Sequence, residues 1–323
     1  MKAIGGYFEL ELSRRNDNPP GHQGIYLNSG RHAFEYILRN IGKVSQVYLP
    51  RYTCDVMLQP LNRLGINYTF YDVNRQLKLD NLPVLADTEY IVINNYFGIQ
   101  DSYVADLASH YKQQAIIDNA QAWYAPALPG IKALYSPRKF FGLPDGGIAV
   151  NVPDNTDILP QDKSYDRFAH LLKRHELSPS EGYADFKTNS AKLSELPLME
   201  MSPLTRALMA NIDYDSPRDI RRRNFEYLHN SLKTSNLLEI PDIDSFSAPM
   251  VYPYLISEGE NLRHKLIENE IFVATYWPNV PEWSEPGSDA TYLTRHLLPL
   301  PIDQRYDISD MQRILSVINS ILN

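Results

Sequence analysis

A carboxylate, an amide, a hydroxyl and a lysine fall at the ends of two short apolar runs near the middle of this 323-residue chain. Ala115 to Ile117 and Ile131 to Tyr135 are each too brief for a helix and stop abruptly at polar residues, as buried strands do. Asp118 follows the first run and Gln121 lies just beyond it; Ser136 and Lys139 follow the second. Ligands of open α/β sheets gather beyond the carboxyl ends of the strands, so these side chains can face one crevice. A lysine amine can condense with an aldehyde, and an acid can hold a ring nitrogen protonated so that the ring withdraws electrons. An amide N–H can bond a phenolic oxygen, and a serine hydroxyl can bond a phosphate. That combination is the one pyridoxal 5'-phosphate (PLP) uses. The turn from Gly142 to Gly147 lets the backbone pass close to such a group without Cβ clashes.

The same motifs carry a family likeness. IIDNAQA (116–122) is similar to an acid-plus-amide motif written E-D-A-A-Q/H-A, and SPRKFFGLPDGG (136–147) to P-T-K-N-x-G followed by G-D-G-G. On these the chain resembles the DegT/StrS family of PLP-dependent sugar aminotransferases, with the aspartate-aminotransferase-like fold type I, as a divergent member. The resemblance implies Lys139 as the Schiff-base lysine, Asp118 as the pyridinium partner and Gln121 as the ring-oxygen partner. It also implies a homodimer whose sites lie at the subunit interface.

Further segments fit the pattern with departures. YLNSGRHAFEYILRNIG reads as a strand, a turn at Asn28-Ser29-Gly30 and a helix, and a helix amino terminus suits an anion. The family has S-G-T here, so Ser29 and Gly30 match and Arg31 replaces the threonine. Arg31 then serves either the cofactor phosphate or the substrate, and Ser29 either binds phosphate or caps the helix. In RYTCD, Cys54 occupies the place of the aromatic that stacks on the pyridine ring in the family. The alternatives are a small buried thiol with no chemistry or stacking supplied by Tyr52 or Tyr96. Asp55 reads as a helix-start acid. Asn95 stands where the family often has histidine. Leu134 stands where it has a phosphate-binding serine, for which Ser136 can compensate. NSAKLSEL (189–196) resembles N-Y-R-M-S-E-L, which reaches the neighbouring subunit's site in the family. Here Ser190 and Lys192 replace the asparagine and arginine, and Lys192 is expected to be solvent-exposed.

Composition narrows the class. The chain carries 31 Lys plus Arg against 39 Asp plus Glu, a formal charge of -8, with 43% hydrophobic residues, which does not favour a nucleic-acid surface. Its single cysteine excludes an internal disulfide and fits a reducing compartment. Glu9 and Glu11 interrupt the only apolar stretch of the amino terminus, so no signal peptide is expected, and no run approaches the ~20 apolar residues of a membrane span. The expectation is a cytoplasmic protein with no membrane, nucleic-acid or metal partner.

The order of elements predicts an α/β fold with a largely parallel three-layer sheet domain over 1–215 and a smaller α+β domain over 216–323. Strands are expected at Tyr7 to Leu12, at VYLP from Val47, at YTFYDV from Tyr68 and at EYIVIN from Glu89, with a helix from Tyr103 to Tyr111. Residues 13–24 read as a loop, and so do 151–203, long enough to be functional or poorly ordered. From Ser216 a helix carries Arg221, Arg222 and Arg223, read as a solvated face. The last third reads as strand PMVYPYLI, helix LRHKLIENE, strand IFVATYWP, LLPLP and a closing helix with an apolar stripe from Met311 to Leu322.

The expected function is an aminotransferase that moves an amino group from an amino acid to a keto sugar linked to a nucleotide, in surface-polysaccharide or related sugar biosynthesis. A PLP-fold binding or regulatory protein without transaminase activity is the alternative, supported by Arg31, Cys54 and Leu134. A dehydratase is disfavoured, since dehydratases of the family replace the lysine with histidine.

Overall fold

The computed structural model describes residues 6–8, 10–12, 22–244 and 246–322. The chain runs β1 (Ile25–Leu27), α1 (Gly30–Asn40), β2 (Gln46–Pro50), α2 (Leu58–Leu64), β3 (Asn67–Tyr71), β4 (Glu89–Asn94), α3 (Asp101–Tyr111), β5 (Ala115–Asn119), β6 (Lys132–Tyr135) and β7 (Gly147–Val150). These strands form one seven-stranded sheet in the order β1-β7-β6-β5-β4-β2-β3. The pairings from β6 through β5, β4 and β2 to β3 are parallel, whereas β7 runs antiparallel to both β6 and β1. The cause is local: the lysine-bearing connection between β6 and β7 holds no helix long enough to return the chain for a parallel crossover.

Both sheet faces are covered. Leu27, Val92, Ile116, Leu134 and Ala149 pack with Phe34 and Ile37 of α1, while Ile91, Ile93, Ile117, Ala133 and Tyr135 join the opposite core. Because strand side chains alternate, Asp118 continues the face of Ile116, and Ser136 that of Leu134, toward α1. The acid, the serine and the start of α1 are therefore brought together by strand parity alone.

The chain continues through α4 (Ala169–Glu176), α5 (Pro179–Glu195), α6 (Pro203–Met209), α7 (Asp215–Leu232), β8 (Tyr252–Leu255), α8 (Gly259–Glu268), α9 (Asp289–His296), β9 (Leu297–Leu300) and α10 (Ile308–Leu322). β8 and β9 form an antiparallel pair, and one apolar cluster runs from the large sheet into it. Met311, Ile314 and Ile318 of α10 are buried, as the stripe predicts.

Several expectations are corrected. The expected loop over 151–203 contains the α4–α5 hairpin. Its overlooked signal is Ser178-Pro179-Ser180-Glu181, where Ser178 Oγ accepts from Glu181 N and donates to Glu181 Oε2 at 2.8 Å, with proline at the first helical position. Residues 271–278 form no strand: Ile271 and Val273 are buried and Phe272 and Ala274 exposed in strand-like alternation, but the segment pairs with no ladder among the described residues. Arg221 is buried rather than solvated, its guanidinium donating to Met250 O at 2.9 Å and Phe140 O at 3.2 Å. No strand forms among the described residues of 7–12; Glu9 and residues 13–21 of the expected loop lie outside the described residues.

Candidate active site

Asp118, Gln121, Ser136, Lys139, Ser29, Gly30, Arg31 and Cys54 line one cavity of about 630 Å³ at the carboxyl ends of the parallel strands. Asp118, the penultimate residue of β5, lies opposite Asn94 of β4 and Leu134 of β6. Its Oδ1 accepts from Ala120 N at 2.8 Å. Burial raises its carboxyl above the usual range, and the nearby Lys139 charge and the Ala120 bond offset part of that. Lys139 sits in a helical turn at 137–139 after β6, exposed to the cavity, with no hydrogen bond or ion pair to its Nζ among the described residues. Asp118 thus carries a burial cost that is only partly offset, and Lys139 Nζ makes no hydrogen bond or ion pair among the described residues.

Gln121 is buried at 5% exposure; its Oε1 accepts from Phe97 N at 3.4 Å, and its Nε2 has no partner. That orphaned donor fits a ring oxygen, the role the resemblance implies. Ser136 Oγ makes no hydrogen bond among the described residues and lies against α1, since a Cβ on Gly30 would stand 3.5 Å from it. Arg31, in the first turn of α1, donates from Nη1 to Gln59 Oε1 at 2.7 Å and Ser194 Oγ at 2.5 Å. Burial lowers its guanidinium below the ordinary arginine value, partly offset by Cys54 and Asp55.

Ser29 resolves toward the capping alternative. Its Oγ accepts from His32 N at 3.3 Å and lies 2.8 Å from His32 Nδ1. Burial pushes His32 down to about 3, so the ring is neutral, and its Nε2 donates to Leu196 O at 3.0 Å. Nδ1 is then the acceptor and takes the Ser29 proton, leaving that hydroxyl no hydrogen for a phosphate.

The stacking aromatic is not where it was sought. Tyr52 and Tyr96 are buried in the core, Tyr96 Oη donating to Tyr52 O at 2.7 Å, and neither lines the cavity. The aromatic part of the wall is Phe186, Phe272, Tyr276 and Trp277. Cys54 is half-buried, and burial pushes its thiol up to about 11, so it stays protonated and unreactive at neutral pH. Asn95 lines the cavity but spends its Nδ2 on Asp101 Oδ1 at 2.7 Å and Asn119 Oδ1 at 3.1 Å. Lys192 is exposed and paired with Asp166 at 2.9 Å, as expected, while Ser190 lines this chain's own cavity.

Sequence reasoning missed Arg138, although it stands immediately before Lys139. Half-buried, it donates only a long 3.4 Å bond to Ser190 Oγ and lies over the Phe186 ring at 5.7 Å. Burial and the repulsion of Arg31 bring its guanidinium down to about 10. Asp303 and Arg305 close the far wall as a two-point pair at 2.6 and 2.8 Å. Among the described residues no His, Cys, Asp and Glu cluster is arranged to hold a metal, and no helix is long and apolar enough to cross a membrane.

Sheet order, antiparallel β7 and the crevice position together define the fold of the type I aminotransferases. Against family profiles and curated protein sequences the chain gives no match. Solved structures do match over nearly the whole chain. The sugar aminotransferase CalS13 from Micromonospora echinospora is 14% identical over 92% of this chain and 86% of its own, with a TM-score of 0.62. A DegT DnrJ EryC1 StrS aminotransferase from Brucella abortus is 16% identical over 93% and 86%, with a TM-score of 0.59. The ntda protein from Bacillus subtilis, solved with bound cofactor PMP, is 14% identical over 93% and 74%, with a TM-score of 0.63. At these identities the likeness establishes the shared fold.

Proposed function

We propose that this chain is a PLP-dependent aminotransferase that moves an amino group from an amino acid to a keto sugar, acting in the cytoplasm as a homodimer. The observation that carries the reading is the convergence of half-buried Asp118, unpartnered Gln121 Nε2 and unpartnered Lys139 Nζ on one cavity. These residues fit PLP: an acid that burial disfavours gains a cationic N–H partner, an orphaned amide N–H gains an acceptor, and a free amine gains an aldehyde. PLP would supply the electron sink that stabilises charge on the substrate carbon. Asp118 would keep the ring nitrogen protonated and Gln121 would fix the ring's orientation. Lys139 Nζ would hold the cofactor covalently, yield to the amino donor and then carry the proton to and from the substrate carbon.

A nucleotide-linked sugar is the finer proposal. Its support is an adjoining cavity of about 920 Å³ that shares Arg138, Lys139 and Phe186 with the first and adds Arg174, His175 and Tyr183 of the α4–α5 hairpin. Cations and an aromatic face suit a diphosphate and a base. Surface-polysaccharide or related sugar biosynthesis is proposed from the family resemblance, and so is the division into a PLP-binding unit over 1–215 and a smaller unit over 216–323.

A second reading, a PLP-fold binding or regulatory protein, rests on Cys54 and Leu134, which leave the cavity without the family's stacking ring and serine. The deciding experiment is the visible spectrum of the protein with PLP, repeated on Lys139→Ala and after borohydride reduction. A lysine-dependent band made permanent by borohydride supports the enzyme. No band at saturating PLP sinks it in favour of the second reading.

A further inference from the structure

Two guanidiniums with no carboxylate partner face one cavity, and a single helix holds both. Arg31 Nη1 donates to Ser194 Oγ at 2.5 Å, and Arg138 Nη2 to Ser190 Oγ at 3.4 Å; the two serines stand one turn apart on α5. Ser194 in turn donates to Ser190 O at 3.1 Å, so its lone pairs are turned to the arginine. Neither arginine forms an ion pair among the described residues. Burial lowers both guanidiniums, the state of a cation site waiting for its anion. The same cavity is lined by Ser136, whose hydroxyl is unpartnered, and by Gly30, close enough that a Cβ there would come within 3.3 Å of Ser136 Cβ. Gly30 thus leaves room for a ligand atom at the serine.

We infer that Arg31 and Arg138 act together as a two-guanidinium clamp for one phosphoryl dianion, positioned by the Ser190–Ser194 turn of α5 and completed by Ser136. This rests on the proposed cofactor reading, in which the dianion is the phosphate end of PLP. Two planar forks and a hydroxyl match the oxygens of a phosphate better than one hydroxyl does. The clamp supplies the donors that Leu134, an apolar side chain, and Ser29, whose proton is spent on His32, do not offer. The α4–α5 hairpin thereby serves the site directly, because a helix of the same chain sets the position of both cations at its phosphate end.

The test is calorimetric titration of inorganic phosphate into the PLP-free full-length protein, alone and with PLP present, together with the affinities for PLP and for pyridoxal. Arg138→Gln and Arg31→Gln should each weaken phosphate at least about tenfold, the worth of one charge-assisted hydrogen bond, and should erase most of the preference for PLP over pyridoxal. Bound PLP should block phosphate. The Ser190→Ala/Ser194→Ala double variant keeps both charges and removes no core side chain, and should weaken phosphate severalfold; circular dichroism confirms that each variant is folded. Phosphate binding that ignores Arg138→Gln, or that persists unchanged beside bound PLP, overturns the clamp. A lysine adduct formed equally well from pyridoxal and PLP overturns the clamp and leaves the cofactor reading standing. Arginine-dependent phosphate binding with no adduct from either aldehyde overturns the cofactor reading and leaves the clamp as an anion site.

Discussion

A methyl group on Gly147 would stand 2.1 Å from the carbonyl oxygen of Ser29 and 2.6 Å from the nitrogen of Gly30. The strand leaving the lysine loop and the turn that opens α1 therefore touch backbone to backbone, with Leu27 of β1 paired to Gly147 of β7. No side-chain rotation relieves that contact, because all three clashing atoms belong to the Ser29–Gly30 peptide. Gly147→Ala is expected to cost at least about 3 kcal/mol, the upper end of ordinary overpacking, and to displace the start of α1. Gly142→Ala is the control: the nearest atom to its Cβ is Leu171 Cδ2 at 3.9 Å, so its cost should stay within about 0.5 kcal/mol. Urea unfolding of both variants decides it, and equal midpoints would mean that the two loops do not touch in solution.

Asp118 offers a trade between stability and ligand. Burial raises its folded-state pKa, so between the unfolded and folded values the native protein holds more proton than the unfolded chain. Stability then falls as pH rises through that interval, and the full cost is present above it. Asp118→Asn without PLP should accordingly be more stable than the parent at pH 8, an advantage that fades as pH falls toward the unfolded carboxyl's ~4. On the proposed cofactor reading the same variant should bind PLP more weakly, because no carboxylate would meet the ring nitrogen. A variant less stable than the parent at pH 8 would show that Lys139 and the Ala120 bond already compensate the carboxylate.

How much of this was legible follows from the kind of signal each part carries. Asp118 and Lys139 could be placed because a strand end is a local event: apolar run, then polar stop. Strand parity then sent Asp118 and Ser136 to the α1 side, which is readable once Ile116 and Leu134 are known to face α1. The failures were of three sorts. Arg221 reads as one of three surface arginines, yet it is buried because backbone carbonyls of Met250 and Phe140 and the ring of Phe140, all distant in sequence, satisfy and cover it. The alternation at 271–278 is real, but a strand also needs a ladder partner, and alternation does not supply one. The α4–α5 hairpin was hidden for another reason: α5 buries only Gly182, Asn189 and Leu193, too few to make an apolar stripe.

Arg167 should be indispensable to the loop that carries the lysine. It bridges Asp145, of the Asp-Gly-Gly turn, and Asp162, whose Oδ2 lies 2.6 Å away, with all three side chains nearly inaccessible. Asp145 also accepts from Thr205 Oγ1 of α6. Arg167→Met would leave two buried carboxylates without a cation, at a cost of about 3–5 kcal/mol at neutral pH. Acidification should shrink that deficit, since protonated carboxyls need no counter-charge. An Arg167→Met protein as stable as the parent at pH 7 would mean that water reaches this triad.

Acid should loosen the α1 end of the cavity through a neutral histidine. Burial holds His32 down to about 3 and His22 down to about 4, whereas both titrate near 6.5 in an unfolded chain. Between pH 6.5 and 4 the unfolded chain therefore binds protons that the native one refuses, and stability rises with pH across that window and is lost as pH falls. Each such group contributes a slope of up to about 1.4 kcal/mol per pH unit. Replacing His32 with Gln should remove about one proton's share of the slope measured between pH 6 and 5, at some cost in stability at pH 7 because Ser29 and Leu196 lose their ring partner. Comparing parent and variant cancels the other titrating groups, so the difference in slope reports His32 alone. An unchanged slope would mean that the ring protonates in the folded state, which would turn Nδ1 into a donor and free the Ser29 proton to face the cavity.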